Sequence, residues 1–148
     1  MVINFNPKYI PGDIVYNHKK EIIRITSSYL KGTKLFYYRD GEYGWIREDA
    51  IAPIPLTPEI LEKNGWNKSI SWFYVGSEEH GYQFSKELDD NWGELGMTYG
   101  DLQISQCENL RDWRYINECN HYFNFEFTYV HELQHLLYAL HIDSNLKI

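Results

Sequence analysis

His131-Glu132-Leu133-Gln134-His135 is the run of side chains in this sequence best suited to chemistry. Two histidines one helical turn apart can grip one zinc ion, and the glutamate between them can act as general base toward a zinc-bound water. Such a site would make the chain a zinc-dependent hydrolase, with His131 and His135 as ligands and Glu132 as base. The flanking positions are uncharged, and Val130, Leu133, Leu137 and Leu140 recur at helical spacing. Residues 128–140 are therefore predicted to form a helix with an apolar stripe, packed on aromatics such as Phe123, Phe125 or Phe127.

The surroundings of the motif argue against zinc chemistry. At about 100° per residue, His131, His135, Tyr138 and Ile142 form a stripe roughly opposite the apolar one. The histidines are thus expected on a partly exposed face, with no third ligand in reach and Glu132 a surface carboxylate. His141 has the spacing of the third metzincin ligand, but that pattern needs a glycine to turn the chain, and Tyr138 stands in its place. In a continuous helix His141 would lie about 15 Å along the axis from His131. No glutamate follows Glu132, and Asp143 is the one downstream acid. A third ligand from upstream, as in peptide deformylase, would have to be Cys107 or Cys119, and neither has that family's flanking residues. The expectation is no catalytic residue and no cofactor, with zinc as the alternative.

The elements that would carry any site are legible from alternation and turn chemistry. Ile14-Val15-Tyr16, residues 21–30, residues 35–39 and residues 43–46 read as strands, separated by polar or glycine turns. Asp40-Gly41 is expected to be the tightest hairpin, because a type I′ turn needs positive φ at both central positions. Residues 51–54 are a short fifth strand, ended by Pro53 and Pro55. Five strands this short suggest an SH3-like small β-barrel over residues 1–56. Thr57-Pro58-Glu59 then starts a linker helix that Gly65 can stop. Residues 70–75, 82–88, 102–105, 113–116 and 122–127 are the strands of an antiparallel sheet, with 89–100 a loop. Residues 57–148 thus form an α+β subdomain closed by the C-terminal amphipathic helix, and the fold class is α+β.

Charge and composition narrow the partners. The 148-residue chain carries a net charge of −7 and 13 Tyr, 7 Phe and 5 Trp. Residues 1–56 hold eight Lys or Arg and six Asp or Glu, whereas residues 57–148 hold six and fifteen. An acidic protein is a poor non-specific partner for duplex nucleic acid or an anionic membrane, and only the first third offers a mildly basic face. No apolar run approaches the roughly 20 residues of a membrane helix. The first residues carry Asn, Pro and Gly where an export signal would be apolar, and two cysteines are too few for a disulfide scaffold, so a cytoplasmic protein is expected.

A second constellation is aromatic. Tyr37, Tyr38, Tyr43 and Trp45 lie near Arg39 and Arg47, with Lys34 close by. Aromatic faces beside cations can stack bases and hold phosphates. Trp92 and Tyr99, in the predicted glycine-rich loop, are further candidate contacts.

Two segments resemble a family. Residues 52–66, Ala-Pro-Ile-Pro-Leu-Thr-Pro-Glu-Ile-Leu-Glu-Lys-Asn-Gly-Trp, are similar to a PIPLT segment followed by a Gly-Phe. Residues 129–140, Tyr-Val-His-Glu-Leu-Gln-His-Leu-Leu-Tyr-Ala-Leu, resemble a YVHxLQNLYFAL segment. Both occur in small uncharacterised proteins of Bacteroidales genomes, prophages and mobile elements. Positions matching Glu132 and His135 are often Gln and Asn there, which implies that the motif here arose on a packing helix. The resemblance implies no catalytic residue. The resulting expectation is a non-enzymatic binding module of phage or mobile-element origin that sequesters a nucleotide-like small molecule or a host protein. A zinc hydrolase and a structural or assembly subunit, including a homo-oligomer, are the alternatives.

Overall fold

Apolar residues alternating with polar ones between Ile14 and Arg47 produce four strands, and the chain then repeats the plan more loosely after a short helix. In the computed structural model, residues 8–41, 44–70, 82–87, 101–106, 111–116 and 122–148 are described. In chain order these hold β1 (Ile14–Tyr16), β2 (Ile22–Lys31), β3 (Lys34–Arg39), β4 (Trp45–Arg47), a 3-10 turn (Glu48–Ala50), α1 (Pro58–Lys63), β5 (Asn67–Ile70), β6 (Tyr82–Glu87), β7 (Asp101–Gln106), β8 (Trp113–Ile116), β9 (Tyr122–Phe127) and α2 (Val130–Ala139). The fold is α+β and mostly strand. It divides into two compact units, one reaching Ile54 and resuming over Tyr129–Leu146, the other comprising Pro55–Thr128 and Lys147–Ile148.

The first unit is a curled antiparallel sheet in the order β1-β2-β3-β4. Strand β2 is long enough to pair at one end with β1 and at the other with β3, and its register shifts between Ile25 and Ser27. Such an irregularity bends the strand and lets the sheet wrap. Beyond β1 a single rung continues the curl, where Tyr16 and Ala52 exchange both backbone hydrogen bonds at 2.9 Å. The expected fifth strand is reduced to this rung, because Pro53 and Pro55 have no N–H to extend a ladder. Inside the curl lie Tyr9, Val15, Ile25, Tyr37, Ile46 and Ile51.

The turns differ from expectation in one respect. The tightest hairpin is Gly32-Thr33, because Lys31 pairs directly with Lys34 and Gly32 adopts φ +64°. Asp40-Gly41 begins a longer connection, since the next rung is Tyr38 with Trp45. The cause is that Asp40 still belongs to the β2 side: its N–H donates to Arg24 O at 3.1 Å. The chain cannot reverse until that bond is made. Tyr43 lies outside the described residues.

Helix α2 falls with the first sheet, whereas the sequence placed it with residues 57–128. Val130, Leu133 and Leu137 of the predicted stripe are buried, whereas Leu140, at the C-cap where the helix ends, is only half-buried. The side chains of Phe123 and Phe125 lie outside the description, and Phe127 is in the other unit. The helix ends in a Schellman arrangement in which Ile142 N–H donates to Leu137 O at 2.8 Å and His141 N–H to Tyr138 O at 3.0 Å. His141 takes the left-handed position usually held by glycine, at φ +58°.

The second unit is an antiparallel meander in the order β5-β6-β7-β8-β9. Helix α1 precedes it. Thr57 Oγ1 accepts from Ile60 N–H at 3.4 Å, Pro58 occupies the first turn, and Gly65 at φ +80° closes the helix, as the sequence predicts. Trp66 N–H reaches back to Leu61 O at 3.1 Å, and both side chains are buried. Phe84 and Trp113 pack edge to face at 5.7 Å, and Trp113 Nε1–H donates to Leu56 O at 3.2 Å. Strand β5 starts earlier than expected, at Asn67. Residues 71–81 and the predicted loop 89–100 lie outside the described residues.

Candidate functional site

Each polar side chain of the HExxH segment is engaged within the first unit. Gln134 is buried. Its Oε1 accepts from Ile14 N–H at 2.9 Å, and its Nε2 donates to Gly12 O and Ser144 O, both at 2.9 Å. His135 is half-buried, and its Nε2 lies 2.8 and 3.0 Å from the two carboxylate oxygens of Asp13. Asp13, itself buried, also accepts from Ile10 N–H at 2.9 Å. Glu132 Oε1 accepts from Tyr129 N–H at 3.2 Å, satisfying a free donor at the start of the helix.

His131 is the clearest correction. It was expected partly exposed, yet only 4% of it is accessible. Its ring meets Tyr9 edge-on at 5.0 Å, stacks on Tyr129 at 5.9 Å and faces His135 at 5.6 Å, while its Nδ1 has no hydrogen-bond partner. Burial, opposed by Asp13 and assisted by His135 and Lys8, lowers its pKa from 6.5 to about 4. The ring is therefore neutral near pH 7. The physical reason for the error is that the helix buries a broad arc against the Tyr9 to Ile14 segment, not only its apolar stripe. A carboxylate does lie within reach of His135, namely Asp13, which sequence reasoning missed. Among the described residues no group of three His, Cys, Asp or Glu side chains is arranged to hold a metal ion. Cys107 and Cys119 lie outside those residues.

The aromatic constellation divides across the two faces of the first sheet. Successive strand residues point to opposite sides. Tyr37, opposite Ile46, is fully buried. Its hydroxyl accepts from Lys8 N–H at 3.1 Å and donates to Glu48 Oε2. Burial first, then the bond to Glu48, raises its pKa far above the ordinary phenol value. Tyr37 is thus a core residue and meets no ligand from outside. Arg39 shares its side of β3 and is half-buried.

Tyr38, Trp45 and Arg47 are on the outer face. Tyr38 stands opposite Trp45, Phe36 opposite both Tyr29 and Arg47. Tyr29 and Trp45 are each 46% accessible and Tyr38 37%. Trp45 is propped by Phe36, edge to face at 4.0 Å, with Tyr29 at 6.4 Å and Lys31 Nζ at 5.6 Å from its ring. Tyr43, Trp92 and Tyr99 lie outside the described residues. Tyr29 and Lys31 were missed at the sequence level, although counting back across the Gly32-Thr33 turn from Phe36 and Lys34 would have found them.

The electrostatics of this face are unlike those of the whole chain. Strands β2, β3 and β4 hold no acidic residue; of their basic residues, Lys31, Lys34 and Arg47 share this face, whereas Arg39 is on the side of Tyr37. Arg24 reaches Asp40 at 3.7 Å and Arg47 reaches Asp49 at 2.7 Å, both exposed pairs. At the edge, a shallow groove of about 420 Å3 is lined by Lys8, Lys34 and Arg47 together with Leu35, Glu48, Asp49 and Ile51. The face offers ring surfaces for stacking and ammonium groups for anions. No protein-family model matches the chain, and no curated protein or solved structure matches it either.

Proposed function

We propose that the first unit is a non-enzymatic binding module whose outer sheet face takes a nucleotide-like ligand. The observation that carries this reading is the juxtaposition of three exposed rings, Tyr29, Tyr38 and Trp45, with Lys31, Lys34 and Arg47 on strands that hold no acidic residue, in a chain of net charge −7. A planar base stacks on a ring, and its phosphate sits near an ammonium group. The engagement of Gln134, Glu132 and His135 in fastening α2 supports a structural role for the HExxH segment, so no zinc step enters this reading. The four-strand meander, the bulged β2, the 3-10 turn after β4 and the rung at Ala52 support an SH3-like small barrel as its scaffold. The resemblance of residues 52–66 and 129–140 to segments of prophage-borne proteins supports a setting in which such a module withdraws a nucleotide from a host system.

The test is equilibrium binding of purines and pyrimidines, as nucleosides, mononucleotides and short oligonucleotides, to the full chain and to Trp45→Ala and Lys31→Gln/Lys34→Gln variants. Binding that needs the phosphate and weakens in both variants is the expected result. Ligand binding unchanged in both variants, or no binding of any of these ligands, would overturn the proposal.

A further inference from the structure

The geometry points to a single-stranded nucleic acid as the ligand of this face, in preference to a mononucleotide. This inference rests on the preceding reading and narrows it.

Three features carry it. First, the exposed rings are spread over three strands. Tyr38 and Trp45 form one rung, Tyr29 and the buried Phe36 the next. Two residues of strand separate the rungs, about 7 Å. A mononucleotide is normally held in a concave pocket that covers most of its surface. Here one base can cover one ring and leaves the others wet. A run of unpaired bases, spaced along a flexible backbone, can cover them in succession, and any base will serve because each has a π-face.

Second, Lys31 and Lys34 stand directly opposite each other across the Gly32-Thr33 turn. Like charges at facing positions destabilise a strand pair. Lys31 leans over the Trp45 ring, and neither lysine has an acidic partner among the described residues. A phosphate between them would turn a repulsion into an attraction at the end of the ring platform.

Third, the basic track continues. Lys34 leads into the groove shared with Lys8 and Arg47, which Glu48 and Asp49 also line, Glu48 being held by the Tyr37 hydroxyl. The Arg47 pair with Asp49 is exposed, and such pairs contribute little, so Arg47 can exchange Asp49 for a phosphate. Duplex nucleic acid does not fit, because its bases are already stacked inside the helix and rings on an open sheet face cannot reach them.

The experiment is fluorescence anisotropy on the full chain with labelled oligo-dT and oligo-U of about ten nucleotides, in the site-size range of small single-strand binders. Unlabelled UMP, UTP and a self-complementary duplex serve as competitors. The expected result is oligomer binding at least tenfold tighter than UTP, with log K falling as log salt rises by a slope of about −1.4 to −2.8, for two to four phosphates held. Trp45→Ala and Tyr38→Ala should each weaken it about tenfold, with Trp45→Phe partly restoring it. Lys31→Gln should reduce the salt slope by about 0.7. Circular dichroism of each variant verifies that the sheet is intact, and Tyr38→Ala serves if Trp45→Ala unfolds. If UTP binds as tightly as the oligomer and depends on Trp45, the single-strand inference falls and the nucleotide reading stands. If the duplex competes as well as the oligomer, the inference also falls. If oligomer binding ignores both ring substitutions, or nothing binds, both readings fall.

Discussion

Replacing His131 by leucine should abolish a specific part of the protein's acid sensitivity. The imidazole is 4% accessible and its pKa is lowered from 6.5 to about 4, mainly by burial. Above about pH 6.5 it is neutral in both folded and unfolded chains and contributes nothing to pH dependence. Between about 6.5 and 4 the unfolded chain takes up a proton that the folded chain does not, so stability falls as pH falls. Below about 4 both are protonated and the loss is complete. At 1.36 kcal/mol per pKa unit, the full loss is about 3 kcal/mol, of which about 2 kcal/mol has gone by pH 5. At pH 7.5 the same substitution should change stability by less than about 1 kcal/mol. Leucine is of similar size and removes an Nδ1 that has no hydrogen-bond partner, which is favourable, but it forfeits ring contacts with Tyr9 and Tyr129. The assay is urea unfolding followed by circular dichroism at both pH values. The quantity of interest is the difference between wild type and variant, because every contribution other than that of His131 is common to both. An equal loss of stability on acidification in the two proteins would refute the reasoning.

Three further outcomes follow from the same unit. Gln134→Leu should cost roughly 2–4 kcal/mol in chemical denaturation, since it strands a buried Ile14 N–H and two partly buried carbonyls. His141→Gly should raise the melting temperature through a gain of about 0.5–1 kcal/mol, because the residue holds φ +58° at the helix stop. Tyr37→Phe should cost about 1–3 kcal/mol by thermal unfolding, as Glu48 and the Lys8 N–H lose their shared hydroxyl.

Local chemistry made much of the fold legible. Strand alternation located β1 to β4 and β6 to β9, and Thr57, Pro58 and Gly65 bounded α1 because capping acts within a few residues. Adjacent tyrosines 37 and 38 had to face opposite ways, yet which one faces inward depends on the register with Ile46 and Trp45. The Asp40-Gly41 signal was real as a turn, but a backbone bond to Arg24 displaced the reversal. The environment of α2 was the least legible. Gln134 and His135 reach residues about 120 positions earlier, whereas helical periodicity puts His135 opposite the apolar stripe. No local pattern announces that a buried backbone N–H at Ile14 awaits an amide from the far end of the chain.

That separation has a consequence for synthesis. The four strands of the first unit leave the ribosome well before the helix that satisfies Ile14, Gly12 and Asp13, which follows about 120 residues later. At about 5–20 residues per second, the gap is roughly six to twenty-four seconds. During that interval Val15 and its neighbours have strands but no covering helix. A nascent chain interrupted anywhere before Val130 would hold the sheet's residues without the groups that seal it. Such a product would be recognisable to proteases and chaperones by its exposed apolar surface until the helix docks.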